Sequence, residues 1–327
     1  MGRGMTGEAR AAVKSSDRIP AKRKRSPAFR LLLVLARSVI AVIVVTALFN
    51  AFMYYTATRE ADRIADTPYG RAFESVDYEG EGDAGVLLLH GIYGTPYDFH
   101  HLTDLLRKEG ISHYPPMLGG DRPTPLAGIG YTKRSLAHHA QQAYEHLSLR
   151  SKRIVIVGLS LGAVQATDLA ARHEVQGLVV VSPGYRIAKR WYLRPNANSL
   201  AKRFGAFVPL IPGGKPVWVN DESEVESYRG LTTWAVQVGV ALRYYSRDVL
   251  RRVGDIKAPV LAVLSRGDSL TDLDLAKRAI EGMASAETRF VWYERSDHSL
   301  LVDHDREAAT REIFDFLTTH LDLQTAE

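Results

Sequence analysis

Ser160 lies in the run Gly158-Leu159-Ser160-Leu161-Gly162, directly behind the apolar stretch Arg153 to Val157 and ahead of a helical pattern from Ala163 to His173. A strand that turns through Gly-x-Ser-x-Gly into a helix lifts the serine hydroxyl out of the sheet, where it can attack a carbonyl carbon. The flanking glycines let the backbone pass where a side chain would clash. The backbone N–H of Leu161 then opens a helix and is suited to stabilise a developing oxyanion. The pattern alone also describes an ordinary strand-to-helix turn with a surface serine, so its weight comes from what surrounds it.

A serine nucleophile needs a base, and the base needs an orienting carboxylate. Two further apolar runs supply candidates beyond their C-terminal ends, where reactive groups collect in open parallel sheets. Pro259 to Leu264 leads into Ser265-Arg266-Gly267-Asp268, which places Asp268 to orient an imidazole. Asp272 and Asp274 are rivals, but both read as first-turn acids of a helix from Leu273 to Met283, where the helix dipole favours them. Arg289 to Glu294 leads into Arg295-Ser296-Asp297-His298, with His298 on a loop before a closing helix. A loop histidine can rotate onto the serine with a pKa near neutrality. His304, within Asp303-His304-Asp305, is its rival and reads as solvated on the approach to that helix. The chain order Ser160, Asp268, His298 differs from the two other orders in which such a trio occurs.

The run Val86 to Leu89 reads as a strand buried on both faces. It ends in His90-Gly91-Ile92-Tyr93-Gly94, followed by a helical segment from Tyr97 to Lys108. The loop is the place for a second oxyanion donor, assigned to the backbone N–H of Ile92. His90, at the end of a buried strand, reads as a packed structural histidine rather than a base.

The segments LLLHGIYGTP, IVGLSLGA, APVLAVLSRGD and SDHSLLVDHDREAATREIFDFL, in that order, resemble the α/β-hydrolase superfamily, in particular its small carboxylesterase and monoacylglycerol-lipase group, over about Ala84 to Leu321. Asp221 to Leu250 is similar to the family's passage from cap to acid strand, with a strand entry at Ile256 to Pro259. The resemblance implies an α/β fold: a mostly parallel sheet with helices on both faces and a small helical cap. It implies a triad of Ser160, Asp268 and His298, with the N–H groups of Ile92 and Leu161 as oxyanion hole, cleaving carboxylic esters through an acyl-enzyme. It implies no metal and no cofactor. The same fold also serves acyltransferases, thioesterases, aminopeptidase-like enzymes and non-catalytic binding proteins, and these stay open. Pro116 to Asp121 stands where relatives often carry Gly-His-Gly, so the pocket mouth is expected to differ there.

The 327 residues, 46 % of them hydrophobic, suffice for one α/β domain plus an appendage. No cysteine is present, which excludes disulfides, thiolate zinc sites and a cysteine nucleophile. The net charge of +5 is concentrated around Lys22-Arg23-Lys24-Arg25, leaving the remainder near neutral and arguing against nucleic-acid binding by the folded part. Residues 1–27 read as a disordered basic arm in the cytoplasm. Residues 28–58, with an uncharged run from Ser38 to Thr58, read as a single transmembrane signal anchor. Arg37 would snorkel at the near interface, and Tyr54 and Tyr55 would sit at the far one. The excess of positive charge before the span predicts a cytoplasmic N-terminus and an extracytoplasmic domain over 69–327, joined by a tether over 59–68. A cleaved secretory signal is the alternative; the long apolar run and the lack of a small-x-small site speak against it.

Between the strand Gly177 to Val181 and the acid strand, the chain is too long for a simple crossover. Residues of about 185–235, with Trp191, Tyr192, Phe204, Phe207, Trp218 and Trp234, read as a cap over an apolar pocket suited to an uncharged, lipid-like ester. Its Arg186, Lys189, Arg190, Arg194, Lys202 and Arg203 read as a solvated face, with anionic lipid headgroups as the other reading. A helix from Thr232 to Val253 is expected to return the chain to the sheet. The adjacent pairs His100-His101 and His138-His139 are expected to diverge on helices rather than clamp a metal. The partners read are an ester substrate and a membrane, with no nucleic acid and no obligate protein.

Overall fold

The structure, a computed structural model, describes residues 26–71, 77–118, 124–188, 205–213, 218–225 and 231–323. The basic arm up to residue 25 lies outside the described residues. So do the loop positions 119–121 and the cap residues Lys189, Arg190, Trp191, Tyr192, Arg194, Lys202, Arg203 and Phe204. The chain divides into two compact units, Met1–Val45 and Thr46–Glu327.

In the first unit the described chain is the opening part of helix α1, Pro27–Ala65. Leu31, Leu32, Val34, Leu35, Val39 and Ile40 are all exposed. An 18-residue window of α1 has a mean hydropathy of 2.7, and none of it is buried. Apolar side chains on every face of an unburied helix match a hydrocarbon solvent better than water.

The second unit is built on a sheet of β1 (Ala84–Leu89), β2 (Ser112–Tyr114), β3 (Arg153–Leu159), β4 (Gly177–Val181), β7 (Val260–Ser265) and β8 (Thr288–Tyr293). Their order is β2-β1-β3-β4-β7-β8, and every neighbouring pair is parallel. The all-apolar runs make this arrangement necessary, because alternate residues of one strand feed opposite cores. Leu88, Val157, Val179 and Val263 pack on Phe99, Leu102 and Phe316 on one face. Leu87, Ile156, Val180 and Ala262 pack on Ala140, Leu147, Leu169 and Ile280 on the other.

Three sequence expectations change. Thr233–Ala235, expected to open the return helix, form strand β6 and pair antiparallel with β5, Leu210–Pro212, so the helix begins only at Val236. The described part of the cap holds this strand pair and one helical turn, Glu222–Val225. The stretch read as a tether is helical to Ala65, because the stripe Met53, Ala57, Glu60 and Ile64 is buried at helical spacing. His100 and His101 do not diverge: their ring centroids lie 3.8 Å apart, and His100 also stacks on Tyr97.

Candidate active site

Ser160 stands between β3 and the helix Leu161–Ala170, at φ 57° and ψ −114°. Such a backbone is costly for a residue with a Cβ, and the surroundings hold it there. Its N–H donates to Val181 O at 2.9 Å, and its carbonyl accepts from Gly184 N at 2.9 Å. A Cβ on Gly162 would strike the Leu89 carbonyl, and one on Gly158 would strike the Gly162 backbone. The elbow is thus as tight as its two glycines allow.

Asp268 follows β7. Its Oδ1 accepts from the N–H groups of Leu270 at 2.8 Å and Thr271 at 2.9 Å, and its Oδ2 accepts from Thr271 Oγ1 at 2.6 Å. His298 follows β8. Its Nδ1 lies 2.9 Å from Asp268 Oδ2 and its Nε2 lies 2.8 Å from Ser160 Oγ. All three side chains belong to buried residues. The sheet order brings them together: β3, β7 and β8 are parallel, so their C-terminal ends share one edge of the sheet.

The electrostatics follow from that contact. Burial disfavours the charged imidazolium, but the Asp268 carboxylate outweighs it and lifts the His298 pKa above its ordinary 6.5. Burial would raise the Asp268 pKa, yet His298 and the Thr271 hydrogen bonds hold it down to about 2. The arrangement can take a proton from the serine hydroxyl and keep the resulting cation paired.

The N–H groups of Ile92 and Leu161 have no acceptor among the described residues. Ile92 borders a cavity beside Ser160 and His298, walled by Tyr69, Tyr93, Trp218, Leu231, Trp234 and Leu270. Ile92 and Leu161 both border a second cavity, which His90, Tyr131 and Gln165 also line. Among the described lining of the first cavity there is no carboxylate.

The rivals fall elsewhere. His90 Nε2 accepts from Leu118 N at 2.9 Å, so Nδ1 carries the proton and donates to Gly91 O at 2.8 Å. Burial pushes its pKa down to about 4, keeping it a neutral structural group. Asp272 caps the helix Leu273–Glu281 through Leu275 N and pairs with Arg186, which is thereby engaged within the protein. Asp274 lies in the first turn of the same helix. His304 sits 3.8 Å from Asp221 with a half-exposed side chain.

The acids flanking His304 are not solvated. Asp303 is fully buried and accepts from the N–H groups of Asn220, Asp221 and Asp297; Asp305 accepts from Ser296 N and Oγ. They clamp the loop that carries His298 through Ser296 and Asp297, and Asp303 also ties it to Asn220 and Asp221, which are too distant in sequence to be read as partners. Asp297 adds a further brace by accepting from Ser269 N and Oγ on the Asp268 loop. Thr271, unremarked in the sequence, is a close partner of Asp268; an Asp followed three residues on by a hydroxyl at a strand exit is the local signal.

A serine on a strained strand-to-helix turn, an imidazole against it and a carboxylate behind, set at the ends of parallel strands, define the α/β-hydrolase class. The family model described as "Serine aminopeptidase, S33" (Hydrolase_4) matches residues 80–305, and the chain belongs to that family. It is 25 % identical to a carboxylesterase of Bacillus subtilis (strain 168) over 238 residues, 72 % of this chain and 93 % of the relative. It is also 25 % identical to a thermostable monoacylglycerol lipase of Bacillus sp. (strain H-257) over 252 residues, 74 % of this chain and 94 % of the relative. Its fold matches that of the Paleococcus ferrophilus monoacylglycerol lipase with a TM-score of 0.64 at 19 % identity, covering 76 % of this chain and 98 % of the other.

Proposed function

We propose that the chain is a membrane-anchored serine hydrolase that cleaves carboxylic esters, with Ser160 as nucleophile, His298 as general base and acid, and Asp268 as its orienting group. The observation that carries the reading is the single imidazole within hydrogen-bond reach of both Ser160 Oγ and Asp268 Oδ2. His298 Nε2 takes the Ser160 proton as Oγ attacks the ester carbonyl, and the N–H groups of Ile92 and Leu161 stabilise the oxyanion. The C–O bond to the alcohol breaks, His298 returns the proton to the leaving oxygen, and an acyl-serine remains. Water, deprotonated by the same imidazole, then releases the acid and restores Ser160.

The cavity and the relatives support a reading of the substrate class. An aromatic and aliphatic wall with no described carboxylate favours an uncharged acyl chain over a cationic α-amine. The two curated relatives, a carboxylesterase and a monoacylglycerol lipase, support an acylglycerol-like ester. Helix α1 would span the membrane, with the basic arm in the cytoplasm and the catalytic domain outside it; its hydropathy and exposed apolar faces support this.

The test uses the full chain in detergent micelles. Hydrolysis of p-nitrophenyl esters of increasing acyl length is followed beside Ser160→Ala and beside amino-acyl p-nitroanilides. Ester turnover that peaks at one length and vanishes in Ser160→Ala is expected. Faster cleavage of the anilides would move the reading to an aminopeptidase, and full activity in Ser160→Ala would remove the mechanism.

A further inference from the structure

Glu60 is a carboxylate on α1 with 6 % of its surface exposed. Its Oε1 accepts from Thr232 N at 3.1 Å and its Oε2 from Thr233 N at 3.0 Å. A buried carboxylate is unfavourable unless such donors satisfy it. Here the donors are the first residue of β6 and the residue just before it. The next residue, Trp234, walls the cavity beside Ser160, as does Leu231 just before the pair. Ala235 N in turn donates to Tyr93 Oη at 3.1 Å. Tyr93 follows Ile92 in the loop after β1 and holds a left-handed φ of 54°.

The chain beyond Glu60 reaches the same loop. Tyr69 Oη donates to the Tyr93 carbonyl, and Thr95 Oγ1 donates to the Tyr69 carbonyl at 3.0 Å. Met53, Ala57 and Ile64 of α1 share an apolar cluster with Tyr93, Leu210, Leu231 and Val238. Asn50 Nδ2 donates to Phe207 O at 2.7 Å, on the approach to β5. Apolar packing alone would let the hairpin slide along the helix. Two backbone hydrogen bonds accepted by one carboxylate fix its height and direction.

We infer that Glu60 is a positioning residue of the Ser160 cavity: it holds the β5–β6 hairpin so that Leu231 and Trp234 form the acyl wall. The inference rests on the ester-hydrolase reading for its catalytic consequence. The segment of α1 from Met53 onward is then part of the site rather than a strap to it.

The experiment compares Glu60→Ala and Glu60→Gln with the unaltered full chain in micelles. Gln keeps one acceptor and sets an amide NH₂ against the other N–H. Leu147→Ala, a fully buried core residue of the helix Lys133–Ser148, serves as a destabilised control. The ratio of kcat/KM for p-nitrophenyl octanoate over acetate should fall about fivefold in Glu60→Ala, less in Glu60→Gln, and stay unchanged in Leu147→Ala. Amide hydrogen exchange should quicken over residues 231–235 in both Glu60 variants, with β3 unaffected. An octanoate-to-acetate ratio within about twofold of the parent in active Glu60→Ala overturns the inference. If Glu60→Ala does not fold, the Gln variant decides by the same ratio. If the parent cleaves no ester, the hydrolase reading fails separately and exchange decides: unchanged protection at Thr232 and Thr233 overturns the clamp, and loss confined to 231–235 sustains it.

Discussion

His298 Nδ1 lies 2.9 Å from Asp268 Oδ2, with both groups inside the protein, and this contact sets the sign of the imidazole's shift. Burial alone would hold the ring neutral well below its ordinary pKa. The carboxylate reverses that and makes the protonated form easier to reach.

The pH profile should show it. A base works only when neutral, so kcat/KM should fall below a pKa lying above 6.5. In Asp268→Asn the raising charge is gone, so the acid limb should move to lower pH, and kcat should drop by about 10³- to 10⁴-fold. An acid limb at or below pH 6.5 in the parent protein would contradict the upward shift that Asp268 imposes on His298. Thermal melts supply a second check. The Asp268 pKa is depressed to about 2 from 3.8, so its stabilising contribution is complete above pH 3.8 and is lost as pH falls toward 2. Asp268→Asn should lack that component.

His90 is shifted in the opposite sense to His298. Its pKa is pushed from 6.5 to about 4, so the unfolded chain binds the proton first as pH falls. The stability it contributes is full above pH 6.5 and is lost between 6.5 and 4. His90→Ala should lower stability by about 1–3 kcal/mol, because Leu118 N–H and Gly91 O lose their partner. The melting temperature of that variant should also vary less across pH 4–6.5 than the parent's. An equal slope in both proteins would show that His90 is not the titrating group.

Two glycines should respond in opposite directions. Gly162→Ala would drive a methyl group into the Leu89 carbonyl, and backbone cannot yield as a side chain does. A loss of about 3 kcal/mol or more, or failure to fold, is expected. Gly239 lies within the helix Val236–Leu250 with nothing near its missing Cβ. Gly239→Ala should raise stability by about 0.5–1 kcal/mol. Chemical denaturation of both variants measures the contrast, and a tolerated Gly162→Ala would refute the tight elbow.

The anchor reading predicts that the full chain stays in the membrane fraction after alkaline carbonate washing. Protease added to the extracytoplasmic side should cleave the catalytic domain and spare the basic arm. Release by the wash, or a protected domain, would reject the anchor or its orientation respectively.

Much of the site could be read before the fold, because its signals are local. A glycine-flanked serine behind an apolar strand, an acid at the end of a second and a histidine after a third each announce themselves within about ten residues. The braces could not be read in this way. Asp303 accepts from the amides of Asn220 and Asp221 as well as from nearby Asp297, and Glu60 accepts from those of Thr232 and Thr233, so both carboxylates have partners far away in sequence. The end of α1 was obscured differently. Arg59 and Arg63 end the uncharged run, but the spacing of Met53, Ala57, Glu60 and Ile64 carries the helix on, and that stripe was the usable signal. Strand β6 is only three residues long, and its neighbours have helical character, so pairing with β5 overrode the local pattern.

Ser160 occupies a backbone conformation that glycine would hold without strain, at φ 57° and ψ −114°. Relieving such strain is worth about 1–3 kcal/mol, within the reach of a single substitution. A lineage freed from the need for a nucleophile would gain heat resistance by exchanging this serine for glycine. The serine is therefore a standing debit in the chain's fitness as a fold, tolerable only while something is gained from the oxygen it carries.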